Sequence, residues 1–324
     1  MNTAQAQLGG VLVAGGPELT RLLERTERRL AEVAAAAGPE LGPHATGTLS
    51  AGGKRLRPIL VFLCADGDSD DRLVAAAAAV ELLHMATLVH DDVLDGAALR
   101  RGRPTVFAEG GRLAATATGD LLFSRAFAEL AAAGGEDSVR ALSAASSALA
   151  RGELMQRADA WSPDVTPERY LERCRLKTAS LFDAACRLGA IFGGRPALAD
   201  PLGCFGERIG LAFQMLDDVL DVAGPAERTG KPRGADLLDG TVTLPLILAR
   251  RHDEDLLDLD PPLDAGRAAE LCYRIAATGA LDQSRDQALA HVAEAKQSLD
   301  ELDLPEPRRR ALELVADGVV ARYA

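Results

Sequence analysis

The sequence predicts an all-α protein, on three observations. Apolar residues recur at intervals of three and four, as in Leu82, Met85 and Val89 or Leu211 and Met215, which is the rhythm of a helix face. Ala and Leu dominate, aromatic residues make up only 4% of the chain, and no stretch alternates apolar with polar residues as a half-buried strand would. Helix ends are also legible. In SPDVTPERYLERC, Thr166 suits an N-cap with Pro167 at the first helical position, and glycine pairs at 110/111, 134/135 and 193/194 mark breaks.

The 324 residues are 48% hydrophobic, enough for a large core. With no repeat of 20 to 50 residues and no low-complexity linker, residues 1–324 read as a single domain, with 1–20 a loose N-terminal tail. MNTAQAQLGG has no basic n-region and reads poorly as a signal peptide. The longest apolar stretch, Val74 to Val89, is interrupted by Glu81 and His84 and falls short of the about 20 residues that span a bilayer, so no transmembrane segment is expected. A net charge of −12 repels phosphate backbones and disfavours a nucleic-acid partner. Cys64, Cys174, Cys186, Cys204 and Cys272 are odd in number and never spaced as CxxC, which fits a reducing, cytoplasmic setting without disulfides or zinc.

DDVLD occurs twice, at Asp91–Asp95 and Asp217–Asp221, each time directly after an apolar run. On a helix, residues four apart share a face about 6 Å apart along the axis. Asp91 and Asp95 therefore point together, as do Asp217 and Asp221, while Asp92 and Asp218 sit about 100° around. Like charges at this spacing cost a few tenths of a kcal/mol, and a divalent cation reverses the sign. All-oxygen donors point to Mg2+ or Ca2+, and Mg2+ typically combines one or two carboxylates with substrate phosphate oxygens. The competing reading of each motif alone is a solvated acidic face. His84 lies on the same stripe as Asp91 and Asp95, although a lone histidine is more often a satisfied core residue.

Two basic clusters could complete a phosphate site: AGGKRLRP with Lys54, Arg55 and Arg57, and LRRGRPT with Arg100, Arg101 and Arg103, the second within one or two helical turns of the first DDVLD. Arg grips phosphate with a planar fork and Lys as a point charge, and Gly52 and Gly53 permit close backbone approach. Acids and bases alternating at short range suit a ligand that carries phosphate and metal together, of which a diphosphate is the simplest.

The ordered series GGKRLRP, ELLHMATLVHDDVLD, RRGRPT, GELMQ, KTASL, FQMLDDVLD and GKPRGADL, from about residue 50 onward, resembles the trans-isoprenyl diphosphate synthases, also called polyprenyl synthetases. The resemblance implies an antiparallel helical bundle around a deep central cavity, a homodimer, and Mg2+-dependent head-to-tail (1'-4) joining of isopentenyl diphosphate to an allylic diphosphate primer. It assigns Asp91, Asp95, Asp217 and Asp221 to the metal, with Asp92 and Asp218 supporting the cluster and Arg100 on the primer's diphosphate. Lys54, Arg57, His84 and Arg101 would bind isopentenyl diphosphate. Lys177, Thr178 and Gln214 would lie near the reacting carbons and the primer's diphosphate, and Lys231, on the irregular segment GPAERTGKPRGADLLDG, would close over the site. One departure stands out: the family pattern GKxTLP is GTVTLP here, so Thr241 replaces a diphosphate-contacting lysine, with Arg233 or Lys231 available to compensate.

Chain length follows from the residues beneath the first motif. Leu83, Ala86 and Thr87 are the positions concerned, and Ala86 and Thr87 are too small to stop a growing chain, which favours a long-chain product over geranylgeranyl or farnesyl length. Phe123 and Phe127 could supply a floor from a neighbouring helix; ordinary core is the competing reading. A terpene cyclase is disfavoured because it needs no second diphosphate site such as GGKRLRP and RRGRP offer. A non-catalytic subunit of a heteromeric synthase is disfavoured by two intact DDVLD motifs, with Thr241 in its favour.

Overall fold

The computed structural model describes residues 3–50, 52–66, 70–224, 233–257, 259 and 261–321, with side chains from residue 9 onward. Helices account for most of them: α1 (Thr3–Ala35), α2 (Gly38–Ser50), α3 (Leu56–Cys64), α4 (Asp71–Leu94), α5 (Val106–Ala133), α6 (Glu136–Ala158), α7 (Pro167–Cys174), α8 (Ser180–Phe192) and α9 (Ala199–Ala223), then Ala235–Leu238, Leu244–Ala249, Ala265–Ala277, Ala280–Asp300 and Glu306–Ala321. The all-α expectation holds. Contacts gather into two compact units, one of Met1–Ser146, Leu181–Gly206 and Leu302–Val315, the other of Ser147–Ser180, Glu207–Glu301 and Ala316–Ala324.

In the first unit, α4 is the central element. Asp70 caps it by accepting the Leu73 N–H at 3.0 Å, and Gly96, at φ 61°, follows its last turn. Ala76 through Val80, Leu82 and Leu83 are fully buried, so the helix is apolar nearly all round, as core helices are. At 24 residues it is long and apolar enough to cross a bilayer, which the shorter Val74–Val89 reading missed, yet 72% of its apolar window is buried inside the fold. That burial identifies a core helix.

Three expectations are corrected in this unit. The N-terminal segment is not a loose tail: α1 starts at Thr3 and, after a kink at Gly16, buries Leu19, Leu22, Leu30 and Val33 at helical spacing, with Val11 buried before the kink. The pair at 110/111 kinks α5 at Gly111 (φ 75°) without ending it, whereas 134/135 and 193/194 do separate helices. And the basic segment after the first DDVLD is no helical continuation: α4 stops at Leu94, and Leu99–Arg100 pairs antiparallel with Arg103–Pro104 in a short β-ladder. Four residues are too few for an alternating pattern to show.

In the second unit, Thr166 and Pro167 open α7 as predicted, Thr166 Oγ1 accepting the Arg169 N–H at 3.3 Å. The helix then widens into a π turn, Arg175–Ala179. The short helix Leu244–Ala249 is buried throughout and packs on Ala280–Asp300.

Candidate active site

The first unit carries the first acidic motif and both basic clusters. Asp95 caps α4, its N–H bonded to the Asp91 carbonyl at 2.8 Å, so the two carboxylates stay on neighbouring turns as the spacing predicted. Asp91 is half-buried and Asp95 exposed, whereas Asp92 is buried and accepts Arg100 Nε at 2.7 Å. Arg100 is thus placed by the ladder, opposite Arg103. Arg101, in the left-handed region at φ 53°, donates to the Gly52 carbonyl and brings the two basic loops together. A Cβ at Gly53 would sit 3.1 Å from its guanidinium. The approach that the glycines permit here is that of Arg101.

Arg55 plays another part than its neighbours. Its left-handed backbone (φ 48°) turns the side chain to Glu27 at 2.5 Å, Glu81 at 2.7 Å and the Leu49 carbonyl at 2.8 Å, a structural staple. Arg57 stacks 4.5 Å over the Phe182 ring with its Nε lacking a hydrogen-bond partner. Burial, with Arg101 nearby, lowers the Arg57 pKa to about 10 against the pull of Glu81. The His84 imidazole is pushed well below the usual histidine range, by burial first and then by Arg57, Arg101, Arg100 and Arg55, so it is neutral amid a basic cluster. Lys54 lies exposed on the loop before α3. The structure therefore gathers Arg57, His84, Arg100 and Arg101 around one locality, which spacing alone could not do.

The second unit carries the second acidic motif and the KTASL residues. Here a continuous chain of hydrogen bonds runs from Thr178 Oγ1 to Gln214 Oε1 (2.7 Å), Gln214 Nε2 to Asp218 Oδ1 (2.8 Å) and Tyr170 Oη to Asp218 Oδ2 (2.7 Å). Burial, reinforced by Asp236, raises the Asp218 pKa to about 8 against the donors Tyr170 and Gln214. Asp217 is half-buried. Asp221 accepts the backbone N–H groups of Ala235 (3.1 Å) and Asp236 (3.2 Å), so it ties down the segment after the motif. Lys177, on the π turn, pairs with Glu153 of α6. π turns inside helices are frequent at functional sites.

Sequence reasoning missed Glu153, Tyr170 and Arg173. Glu153 stood in the GELMQ motif without a role; nothing in the sequence marks Tyr170, whose partner is 48 residues away. Arg173 donates to the Val242 carbonyl at 2.6 Å, beside Thr241, whose own N–H is held by the Asp236 carbonyl at 2.8 Å. Arg233, one of the two residues available to compensate for Thr241, stacks 4.3 Å over Tyr273 and donates to the Val222 carbonyl at 2.6 Å. Lys231 lies outside the described residues.

Of the chain-length positions, Leu83 and Ala86 are fully buried and Thr87 is half-buried with its hydroxyl on the His84 carbonyl at 2.8 Å. The Phe123 and Phe127 rings meet at 5.3 Å with their planes tilted by 42°, and Phe123 is 36% exposed, so ordinary core does not describe Phe123. A cavity of about 490 Å³ in the first unit lies elsewhere, between Arg25, Arg29, Arg72 and Glu129, with Arg25 paired to Asp71, Arg29 to Glu129 and Glu32, and Arg72 to Asp70.

The donor set suits a hard divalent cation bound together with substrate. Among the described residues no three Asp, Glu, His or Cys side chains form a closed metal cage. Mg2+ and Ca2+ both take all-oxygen donors of this kind.

The polyprenyl synthetase family matches residues 39–261. The chain belongs to the polyprenyl synthetase family. It is 40% identical over 277 residues, 84% of this chain and 86% of the relative, to heptaprenyl diphosphate synthase component 2 of Geobacillus stearothermophilus. Two crystal structures share its fold: heptaprenyl diphosphate synthase from Staphylococcus aureus (TM-score 0.89, 29% identity, 94% of this chain and 99% of that one), and polyprenyl synthase from Caulobacter crescentus complexed with calcium and isoprenyl diphosphate (TM-score 0.83, 35% identity, 94% and 97%). This polyprenyl synthetase is accordingly a prenyltransferase, and the division of its acids gains meaning. The second aspartate of each DDVLD is buried and held by protein donors, while Asp91, Asp95 and Asp217 remain at least partly open to solvent.

Proposed function

We propose that this polyprenyl synthetase joins isopentenyl diphosphate head-to-tail to an allylic diphosphate and makes a long all-trans polyprenyl diphosphate, releasing diphosphate. The observation that carries this reading is that division of labour: Asp92 and Asp218 are buried and held by protein donors, while Asp91, Asp95 and Asp217 stay at least partly open to solvent. Asp91, Asp95 and Asp217, with Asp221, would hold Mg2+, which when bound neutralises diphosphate charge as the allylic C–O bond breaks. The calcium and isoprenyl diphosphate held by the Caulobacter relative support such a pairing of cation and substrate.

The chain's own residues do the remaining work. Arg57, Arg101, Lys54 and neutral His84 would bind isopentenyl diphosphate, while Arg100, fixed by Asp92, and Lys177 would each offer a cation to the departing diphosphate. Thr178 and Gln214, locked to each other and to Asp218, orient the primer beside Lys177. The isopentenyl double bond attacks the allylic carbon, the new C–C bond forms, and the proton lost from isopentenyl C2 passes to the released diphosphate. The allylic cation must be kept from water, so the chemistry calls for an apolar, closed site around it.

We read residues 1–324 as one cytoplasmic catalytic domain that pairs as a homodimer. Leu113 (83% exposed), Phe123 and half-buried Phe127 lie on one side of α5 and would be covered by a second copy. The "component 2" name of the Geobacillus relative favours a second reading, that the chain acts with a different partner subunit. One experiment separates them: purified chain alone with Mg2+, labelled isopentenyl diphosphate and geranyl, farnesyl or geranylgeranyl diphosphate, with products sized by reverse-phase chromatography. Long products from the chain alone support the proposal; no elongation with any primer defeats it.

A further inference from the structure

Lys177 is held at two points by consecutive residues of α6. A Cβ on Gly152 would lie 2.6 Å from the Lys177 backbone nitrogen and 2.8 Å from its Cα, so α6 meets the π turn backbone to backbone. The next residue, Glu153, pairs with Lys177 Nζ and also accepts Arg157 Nε at 3.0 Å, its side chain 15% exposed and that of Lys177 27%. Burial would raise the Glu153 pKa, but Lys177 and Arg157 together hold it below the usual carboxylate range, so it is an anion at neutral pH.

A regular helix aims each side chain by its own geometry. The π turn breaks that geometry at Arg175–Ala179, so the direction of the Lys177 ammonium has to be set from outside. We propose that Gly152 and Glu153 are the positioning pair that aims Lys177: Gly152 sets how closely the π turn seats on α6, and Glu153 fixes the ammonium, whose remaining N–H donors then face the substrate. The proposal rests on the reading of Lys177 as a substrate-facing cation in prenyl transfer.

The test is a double-mutant cycle on elongation, with thermal unfolding followed by circular dichroism as a control. Glu153→Gln keeps the shape and removes the charge. It is expected to lower kcat about tenfold or more with the KM for isopentenyl diphosphate little changed, because misaiming a reacting group is costly. In a Lys177→Met background the same substitution should cost nothing further, whereas a merely structural glutamate would give multiplicative losses. Gly152→Ala should behave as Glu153→Gln does. A second readout needs no turnover: reductive methylation followed by peptide mass spectrometry should modify Lys177 several-fold faster in Glu153→Gln than in the native chain. Unchanged methylation, a kcat within twofold of native, or multiplicative losses in the double variant would overturn the proposal. Faster methylation in a chain that elongates no primer would leave the clamp standing and remove the prenyl-transfer reading instead.

Discussion

At the residue scale, identical letters do different work. Asp92 and Asp218 occupy the same place in the two DDVLD motifs, and both are buried and satisfied by protein donors, Arg100 for one and Tyr170 with Gln214 for the other. Asp91→Ala and Asp217→Ala are each expected to lower turnover by at least about a hundredfold, the scale for losing a transition-state charge contact, with far-ultraviolet circular dichroism unchanged. Labelled isopentenyl diphosphate incorporation checks it, and near-native rates in either variant would break the paired reading. His84 makes a different prediction. Its folded pKa is lowered from the ordinary value near 6.5, so below about pH 6.5 the unfolded chain binds the extra proton first and stability falls with pH. The contribution is complete above that pH and is lost as pH drops toward the depressed native value. Urea unfolding at pH 7.5 and 5.5 should show a shallower loss for His84→Asn than for the native chain.

At the scale of elements, caps and interruptions decide where chemistry sits. Thr166 and Pro167 were legible because capping is a local interaction, and Thr166→Ala should cost about 1 kcal/mol in urea unfolding while leaving kcat within a small factor. The ladder at Leu99–Pro104 and the π turn at Arg175–Ala179 were not legible. Four residues carry no period, and a one-residue widening of a helix leaves the apolar rhythm almost intact. Both matter to the site: the ladder turns Arg100 onto Asp92 and Arg101 onto Gly52, and the π turn carries Lys177 and Thr178.

At the scale of the whole molecule, the predictions concern product and assembly. Ala86 is fully buried on α4, five residues before Asp91. Ala86→Phe should shorten the product distribution by chromatography, at a stability cost of about 1–3 kcal/mol for overpacking. Unaltered product length would place the floor elsewhere. Chelation with EDTA should abolish elongation and Mg2+ should restore it, since Mg2+ is held by few carboxylates together with substrate phosphate oxygens. Light scattering of the purified chain should give twice the 34.0 kDa chain mass, and Phe123→Glu, which charges the exposed side of α5, should lower it toward one.

The helical class, the pairing of carboxylates within each DDVLD and the membership of basic residues in two motifs can be read from the order of residues. All of these depend on spacing along the chain, and a helix converts spacing into direction by fixed geometry. Which charges are structural and which are presented depends on packing between elements. Arg55 and Arg57 are two residues apart, yet one is stapled to Glu27 and Glu81 and the other stacks on Phe182. Tyr170 reaches Asp218, and Glu153 reaches Lys177, across 48 and 24 residues of chain. Such partners are chosen by burial, because a charge removed from water must find its complement in whatever element packs beside it, and that neighbour is a property of the fold.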